Sequence, residues 1–432
     1  MVSFPKYDSY KDSGVEWLGD IPSHWEVIKN KYLGTIVNGS TPSSSIPRYW
    51  DGDIVWITPN DLGKLNSTYI YDSERKITND GLKSCGTHIT PINSIIISSR
   101  APIGHLAITK VPSCINQGCK IIVPNLSKID PRFTYYFLLT FNLYIKSLGK
   151  GTTFCELSSY DLKSLKVLNP PIQEQQKIAK FLDEKTAEID EAISYKQRLI
   201  ELLQEQKAIL INQAVTKGLN PNVPMRYSGI EWLGDIPEHW EVKRAKYLLK
   251  EIDERSQTGK EELLSVSHLT GVTPRSEKNV TMFMAEDYTG SKTCQKDDLV
   301  INIMWAWMGA LGVSDRTGII SSSYAVFRQY NSKAFDSWYL ENLLRSTAYI
   351  AQYNKLSTGL RASRLRLYSD VFLRLPLKIP PRKEQEKIKV VVTEKLKNID
   401  RIINQIQQQI EKLKELKQIL ISNAVTGKIK VL

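Results

Sequence analysis

Basic residues that could bind nucleic acid are the clearest candidates for chemistry in this sequence. The segment 355–378 contains one acid, Asp370, and six basic residues, namely Lys355, Arg361, Arg364, Arg366, Arg374 and Lys378. An arginine fork can bond guanine O6 and N7 together, whereas lysines and hydroxyls mainly hold phosphates. We therefore expect Arg361, Arg364 and Arg366 to contact DNA. The alternative is that any one of them faces solvent or binds a helix carboxylate.

A milder group of the same kind lies at the corresponding place in the first half of the chain. Lys150, Thr152 and Thr153 surround a glycine there and offer one cation and two hydroxyls. Arg48 and Arg100 are further candidates for loops that reach DNA. Hydroxyls and lysines suit phosphate contacts, so this group is expected to hold the DNA backbone.

Aromatic and histidine side chains are better explained by packing. Trp305 and Trp307 could lie in a loop that enters a DNA groove, but the sequence favours a core position for both. His24 and His239 occupy matching places between a proline turn and a tryptophan. This match favours a shared packing role over catalysis.

Patterns associated with catalysis are weak. Residues 169–172, Asn-Pro-Pro-Ile, are similar to the NPPY/F motif of amino-methyltransferases, but an isoleucine replaces the aromatic residue that stacks on a flipped base. A helix start is the better explanation. Asp61 and residues 74–76 fit a loose D…ExK nuclease pattern, which arises often by chance in a chain with 24% charged residues. Residues 259–260 lack the rest of a phosphate-binding loop. We expect no catalytic residue and no metal site.

Composition narrows the class of partner. The chain has 432 residues, a length that indicates several domains, and a formal net charge of +12, which favours a polyanionic partner. No run approaches the roughly 18 apolar residues of a spanning helix, and the first 14 residues lack an apolar signal region, so a cytoplasmic protein is expected. Five cysteines without a CxxC pair favour isolated thiols, at Cys85, Cys114, Cys119, Cys155 and Cys294.

An internal repeat is the strongest signal. Residues 13–27, SGVEWLGDIPSHWEV, recur as SGIEWLGDIPEHWEV at 228–242. A second repeat begins at the Pro-Pro pairs 170–171 and 380–381, continues with QEQQKI and KEQEKI, and ends with AVT in both copies. Between these markers the two halves diverge almost completely. This pattern indicates a shared frame around two different recognition surfaces.

Two long helices are predicted at 173–215 and 383–425. Neither segment contains Pro or Gly, and each would be about 60 Å long. Their apolar residues alternate at spacings of four and three, as in a coiled coil, with Lys196 and Lys417 as interruptions. The alternative is two unrelated helices, each facing its own domain. The predicted helix–helix seam comprises Leu182, Ile189, Ile193, Ile200, Leu203, Leu210, Val392, Leu396, Ile399, Ile403, Ile406, Ile410, Leu413 and Leu420.

The expected fold class is α+β, with two mixed α/β domains in a pseudo-twofold arrangement joined by two long antiparallel coiled-coil helices. Short strands are predicted at 54–57, 95–97, 120–123, 263–266, 298–304 and 324–328, and aromatic helices at 131–148 and 335–353. Two unlike domains held apart by a rod would read an asymmetric, two-part DNA site, with the parts separated by roughly one to two helical turns.

We call the repeated segments 13–27 and 228–242 the leaders. The chain closely resembles the specificity subunits of type I restriction-modification systems, the HsdS family, in these leaders, in the Pro-Pro helix starts and in the AVT ends. The resemblance covers nearly the whole chain. It implies target-recognition domains at 1–170 and 218–380, the latter including a linker at 218–226. It also implies a conserved spacer helix at 171–217, and a second with the C-terminal tail at 381–432.

The resemblance also implies partners and cofactors. Double-stranded DNA would be bound in two half-sites, two methyltransferase subunits would dock on the spacer helices, and restriction subunits would join them, with no membrane involved. S-adenosylmethionine, ATP and Mg²⁺ would belong to those subunits and not to this chain. Two other hypotheses remain open: a methyltransferase or nuclease with degenerate motifs, and a helical scaffold that does not bind DNA.

Overall fold

The chain divides into two compact units in the computed structural model, which describes residues 4–100, 102–151, 155–277, 287–359 and 365–431. Unit 1 comprises Met1–Lys196 and Gln407–Leu432, and unit 2 comprises Gln197–Ile406. Each unit therefore takes part of both long helices.

Unit 1 contains the first leader, the elements that follow it up to part of the first long helix, and the end of the second long helix. Its elements are β1 (Tyr10–Asp12), β2 (Asp20–Pro22), β3 (Glu26–Lys29), β4 (Gly34–Asn38), β5 (Trp50–Ile57), α1 (Pro59–Gly63), β6 (Tyr69–Ile70), β7 (Lys76–Ile77), α2 (Asn79–Lys83), β8 (Ile95–Ser98), β9 (Leu106–Thr109), β10 (Ser113–Ile115), β11 (Cys119–Pro124), α3 (Pro131–Thr140), α4 (Asn142–Ser147), α5 (Ser159–Ser164), β12 (Lys166–Asn169) and α6 (Ile172–Lys217). The last part of α6 belongs to unit 2.

Unit 2 begins and ends with the same succession of elements as unit 1 but has its own arrangement between them. Its elements are β13 (Met225–Tyr227), β14 (Asp235–Pro237), β15 (Glu241–Arg244), β16 (Leu249–Ile252), β17 (Leu264–Ser267), β18 (Gly271–Pro274), β19 (Thr293–Cys294), β20 (Leu299–Asn302), β21 (Leu311–Val313), β22 (Gly318–Ile319), β23 (Tyr324–Gln329), α7 (Ser337–Leu344), α8 (Thr347–Leu356), α9 (Ser369–Leu373), β24 (Pro376–Ile379) and α10 (Arg382–Val425). The last part of α10 belongs to unit 1.

The central sheet of unit 1 is buried on both faces. Its strand order is β4-β11-β8-β9-β6, and β11 pairs antiparallel with both β4 and β8. Ile95 and Ile97 pack in the core that contains the aromatic helices, whereas Ile96 packs in a separate core on the other face. Two covered faces explain why β8 reads as a continuous apolar run, because successive side chains point to opposite faces.

The sheet of unit 2 is also covered by a core on each face. It has the strand order β16-β23-β20-β21, and all its pairings are antiparallel. Leu299 and Ile301 face the core that contains α7, while Val300 faces a smaller core. The predicted strands are confirmed, although the one expected at 298–304 already ends at Asn302. The α+β fold class is thus confirmed.

The prediction of one aromatic helix per domain was wrong, because each is a pair of helices. Phe141 leaves helical geometry between α3 and α4, and Ser346 is extended before α8. The breaks let the second helix contact the leader. Trp17 stacks on Tyr144 with ring centroids 4.4 Å apart, and in unit 2 Trp232 meets Tyr349 edge-on at 5.0 Å.

The duplicated leader is fastened to the start of each long helix by a histidine. His24 Nε2 lies 2.9 Å from Glu174 Oε2, and His239 Nε2 lies 2.7 Å from Glu384 Oε2. The two histidines and the two glutamates are equivalent residues of the repeat. These matching bonds give the repeated His and Glu an architectural role.

A repeated glutamine next to each of these glutamates fastens the aromatic helix. Gln175 accepts a hydrogen bond from the Asp130 amide at 2.9 Å, and Gln385 accepts one from the Asp336 amide at 2.8 Å. Each glutamine also donates to the carbonyl of the first proline of its Pro-Pro pair. Both aspartates in turn cap the N-terminus of an aromatic helix. The repeated Glu-Gln pair therefore joins leader, long helix and recognition fold.

The two long helices match their predicted positions to within two residues at each end. Every predicted seam residue is buried or half-buried. Within unit 1 the helices run antiparallel, since Asp190 bonds Lys417 at 2.6 Å while Lys196 bonds Gln409 at 2.7 Å. Within unit 2, Lys207 pairs with Asp400. Among the described residues, no helix is long and apolar enough to cross a membrane.

Candidate nucleic-acid interface

A turn and a hairpin meet at one edge of the unit 1 sheet. The turn lies between β8 and β9, with residues 99–100 and 102–105 described, and the hairpin consists of the paired segments 150–151 and 155–156. Leu157, just after the hairpin, donates its amide to the Ser99 carbonyl at 2.9 Å, and Lys150 and Glu156 exchange two backbone bonds of 3.0 Å. We call this turn and hairpin the loop–hairpin surface. The predicted contacts Thr152 and Thr153 lie outside the described residues.

Unit 2 builds the same loop–hairpin surface from a different sequence. Here the turn is 303–310, between β20 and β21, and the hairpin consists of the paired segments 358–359 and 365–366. Leu367 donates to the Ile303 carbonyl at 2.9 Å, and Thr358 and Arg366 exchange two backbone bonds of 3.0 Å. The backbone bonds therefore correspond one to one with those of unit 1. The predicted contacts Arg361 and Arg364 lie outside the described residues.

Charged side chains cover the unit 1 surface. Arg100 Nη2 lies 2.8 Å from Glu156 Oε2, and the buried Lys120 places its Nζ 3.4 Å from Glu156 Oε1. Burial raises the pKa of Glu156, but bonds from Arg100 and the charges of Arg100 and Lys120 outweigh it, so that pKa is lowered overall. Two cations share one carboxylate, which leaves a local excess of positive charge.

The predicted residues Arg100 and Lys150 are thus brought together around one hairpin. Lys150 Nζ lies 3.3 Å from Asp161 Oδ1. The pKa of Asp161 is lowered, first by a bond from Ser158 and then by Lys150. Arg100 and Lys150 are both solvent-exposed, and each is paired with a carboxylate. An approaching phosphate could take over either partner, because exposed ion pairs contribute only about 0–1 kcal/mol.

Aromatic and basic groups share the unit 2 surface. Arg366 is exposed, and within the described part of the chain it has no acidic partner. Trp305 is 45% exposed and stacks on Trp307, with ring centroids 6.1 Å apart and planes 22° apart. The prediction that Trp305 is a core residue was therefore wrong, because its indole projects from the turn.

Lys378 and Arg374, which belong to the same basic segment 355–378, make contacts within the protein. Lys378 is 3% exposed and donates its Nζ to the carbonyls of Leu233 at 3.0 Å and Thr216 at 3.4 Å. Burial lowers its pKa to about 8, with a smaller contribution from Lys217. Arg374 pairs with Asp370 at 3.0 Å on the surface. Sequence position alone therefore overstated how many of these cations are available to DNA.

Arg48 lies outside the loop–hairpin surface. It follows Pro47 in a short 3-10 turn, its guanidinium lies 5.5 Å from the Tyr49 ring, and its carbonyl accepts a bond from Thr78. Nearby, Arg75 stacks over Trp50 at 3.6 Å. The structure therefore places Arg48 in a second basic and aromatic group of unit 1.

The loose nuclease pattern has an architectural explanation. Asp61 forms a capping box with Thr58 at the start of α1, and it also accepts the Glu74 amide at 2.8 Å. Lys76 pairs with Asp72 instead of approaching Asp61. Among the described residues, no group of His, Cys, Asp and Glu could hold a metal ion.

The two units share a scaffold but differ in the side chains of their loop–hairpin surfaces, and comparison with known proteins shows what this duplicated fold is similar to. Residues 22–201 match the family described as type I restriction modification DNA specificity domain. The MjaIX specificity subunit of Methanocaldococcus jannaschii is 37% identical over 252 residues, 58% of this chain and 56% of that protein. The MjaVIII specificity subunit of the same organism is 24% identical and spans all of this chain and 98% of the relative.

Solved structures share the fold. A chain from a type I restriction-modification assembly matches with TM-score 0.66 and 14% identity over 94% of this chain and 98% of its own. The HsdS subunit of Thermoanaerobacter tengcongensis matches with TM-score 0.56 and 14% identity over 95% and 98%. The chain spans about half the length of the first curated relatives, MjaIX and MjaX. The similarity to type I specificity subunits that the repeats indicated is confirmed.

Proposed function

We propose that this chain is the non-catalytic DNA-recognition subunit of a cytoplasmic type I restriction-modification complex, and that each unit reads one half of an asymmetric, two-part site. The loop–hairpin surfaces carry the proposal. Equivalent backbone bonds hold Arg100 and Glu156 in one unit but Trp305 and Arg366 in the other. Like scaffolds with unlike side chains are what two different half-sites require, because base edges are distinguished by side-chain chemistry.

The long helices support the idea of a fixed gap between the half-sites. Helix α6 is one uninterrupted element of 46 residues, and both units contain part of it. At 1.5 Å per residue a straight helix of this length measures about 70 Å. A rod of packed helices would resist bending and would therefore fix the distance between the two recognised sequences.

Exposed apolar residues on the helices support the docking of partner subunits. In unit 2, α6 exposes Leu199, Leu202 and Ile209, and in unit 1, α10 exposes Leu416 and Ile419. Ile209 and Ile419 are equivalent residues of the repeat. Spacings of three and seven place each set on one helical face, which suits a helix from another protein. We propose that methyltransferase subunits cover these faces, one on each copy.

The catalytic groups of the complex would then lie on the partners. Methyltransferase subunits would bind S-adenosylmethionine, and restriction subunits would bind ATP and Mg²⁺. This chain would determine the DNA sequence at which the complex acts, by binding both half-sites of double-stranded DNA. The purified chain is expected neither to methylate nor to cut DNA by itself.

Co-expression with the cognate methyltransferase subunit, followed by mapping of methyladenine across the host genome, tests the proposal. We expect a gapped motif with unlike halves. Replacing residues 224–380 with the corresponding segment of another specificity subunit should change one half only, and replacing residues 4–168 should change the other. An ungapped or palindromic motif, or a swap that alters both halves, would contradict the proposal.

A further inference from the structure

Trp305 is the most exposed of the nine tryptophans, all of which lie in the described part of the chain. Its side chain is 45% exposed, whereas the other eight are buried or half-buried. Its indole N–H has no partner among the described residues, while that of Trp307 donates to the Met304 carbonyl at 3.2 Å. The indole therefore presents both an apolar face and an N–H group to a binding partner.

The turn holds Trp305 firmly in this exposed position. Trp307 stacks behind it, and the amides of Met308 and Gly309 close a 3-10 turn on Trp305 and Ala306 at 3.0 and 2.7 Å. Gly309 has a φ of +83°, a conformation that favours glycine. The indole is therefore presented by an ordered turn, which reduces the entropy lost on binding.

The neighbours of Trp305 indicate what kind of partner fits. Ile303, two residues earlier, accepts the bond from Leu367, and Arg366 directly precedes Leu367. Residues 303–310 contain no charged residue, so the turn offers apolar surface beside an exposed cation. Phosphates need no aromatic surface, whereas bases stack on aromatic rings or pack against apolar side chains. This combination therefore suits a base with its phosphate close by.

We propose that Trp305 contacts a base of the half-site read by unit 2 through its indole face, with Trp307 as its support. The proposal rests on the proposed function and makes it specific to one residue. Unit 1 places the tethered Arg100 in its equivalent turn, so the two halves would be read by different chemistry. Charged bonding would dominate in unit 1 and apolar contact in unit 2.

The test uses the chain assembled with its methyltransferase subunit, at fixed salt, on the duplex defined by the mapped motif. Base stacking on an aromatic residue is worth about 1–3 kcal/mol by alanine substitution, so Trp305→Ala should weaken cognate binding roughly 10- to 100-fold. Binding to an unrelated duplex should stay within about twofold. The mapped motif should become less specific only in the unit 2 half. Tyr330→Ala removes another exposed aromatic residue of unit 2, at the far end of β23, and should change nothing.

Trp305→Phe keeps an aromatic face and provides a second test should the alanine variant fail to fold. Cognate DNA should shield tryptophan emission from acrylamide in the wild type, and this shielding should decrease in Trp305→Phe. The role of Trp305 would be overturned if the shielding were unchanged in Trp305→Phe. It would also be overturned if Trp305→Ala left the motif unchanged, lost affinity equally for all duplexes, or weakened methyltransferase binding with the motif intact. Failure of the wild-type complex to recognise any gapped motif would instead overturn the proposed function.

Discussion

Replacing the buried Lys378 tests how unit 2 tolerates a charge in its core. Lys378 lies among main-chain carbonyls with 3% of its surface exposed, and unit 1 has Leu168 at the equivalent position of the repeat. Lys378→Leu therefore introduces a residue that the same scaffold already accommodates. The substitution removes a titrating group, and the pH dependence of stability should reveal it.

The lowered pKa of Lys378 determines the sign and size of this pH dependence. Burial, with a smaller effect of Lys217, brings the pKa of Lys378 from 10.5 to about 8. Between these values the unfolded chain binds a proton that the folded chain does not, so the free energy of unfolding rises with pH. The whole difference corresponds to roughly 3 kcal/mol. Roughly 1 kcal/mol of it should be gained between pH 7 and pH 9.

Urea unfolding of wild type and Lys378→Leu at several pH values between 7 and 9 measures this gain. Burial raises the pKa of the Cys114, Cys119 and Cys294 thiols in the folded protein, so these thiols also make stability depend on pH, but their contributions cancel in the difference between the two proteins. That difference should shift towards the wild type by roughly 1 kcal/mol as pH rises. Lys333→Leu, which removes an exposed lysine of the same unit, is the matched control and should show no such shift. A flat difference for Lys378→Leu would refute the argument.

Two further predictions concern the spacer and the unit 1 surface. Deleting residues 197–203 and 404–410 together preserves the heptad register and shortens each helix by about 10 Å, so methyladenine mapping should show a gap shorter by roughly three base pairs; an unchanged gap would count against a rigid spacer. Glu156→Gln removes the carboxylate that holds Arg100, so it should tighten binding to unrelated duplexes severalfold and steepen the salt dependence, whereas Glu188→Gln on the exposed surface of α6 should not. Equal salt slopes for both variants would contradict this role of Glu156.

The parts of the fold that follow periodic rules could be predicted from the sequence. The long helices were predictable because four-three spacing and the absence of Pro and Gly extend over some 40 residues. The break at Phe141 was not, because no Gly or Pro marks it. It arises where Trp17, more than 100 residues earlier, packs on both Phe141 and Tyr144. A long-range contact of this kind leaves no local signal.

The candidate site was predictable in its location but less so in its residues. Lys150 and Arg366 lie on the loop–hairpin surfaces just after the aromatic helices, where a glycine or a charged segment marks an exposed region, and Arg100 lies there in the turn between β8 and β9. Lys378 was grouped with them because sequence order does not reveal burial. Trp305 was assigned to the core because a large aromatic side chain is usually buried. Only the backbone bond from Leu367 to Ile303 shows that its turn adjoins the hairpin.

The lysines in the helix seam explain how a duplicated helix finds one alignment. Lys207 bonds Asp400 in unit 2 and Lys417 bonds Asp190 in unit 1, and these are the same two positions of the repeat with the helices exchanged. A helix that carries this Asp and Lys is therefore complementary to an antiparallel copy of itself. Sliding one helix by a heptad would place Thr393 or Gln407 opposite Lys207, so that Lys207 would lose its carboxylate in either direction, and Lys417 would face Asp183 or Gln197. Polar seam residues weaken a coiled coil but exclude other registers. Because an apolar seam alone would tolerate such a slide, these ion pairs are what would give a spacer a single length.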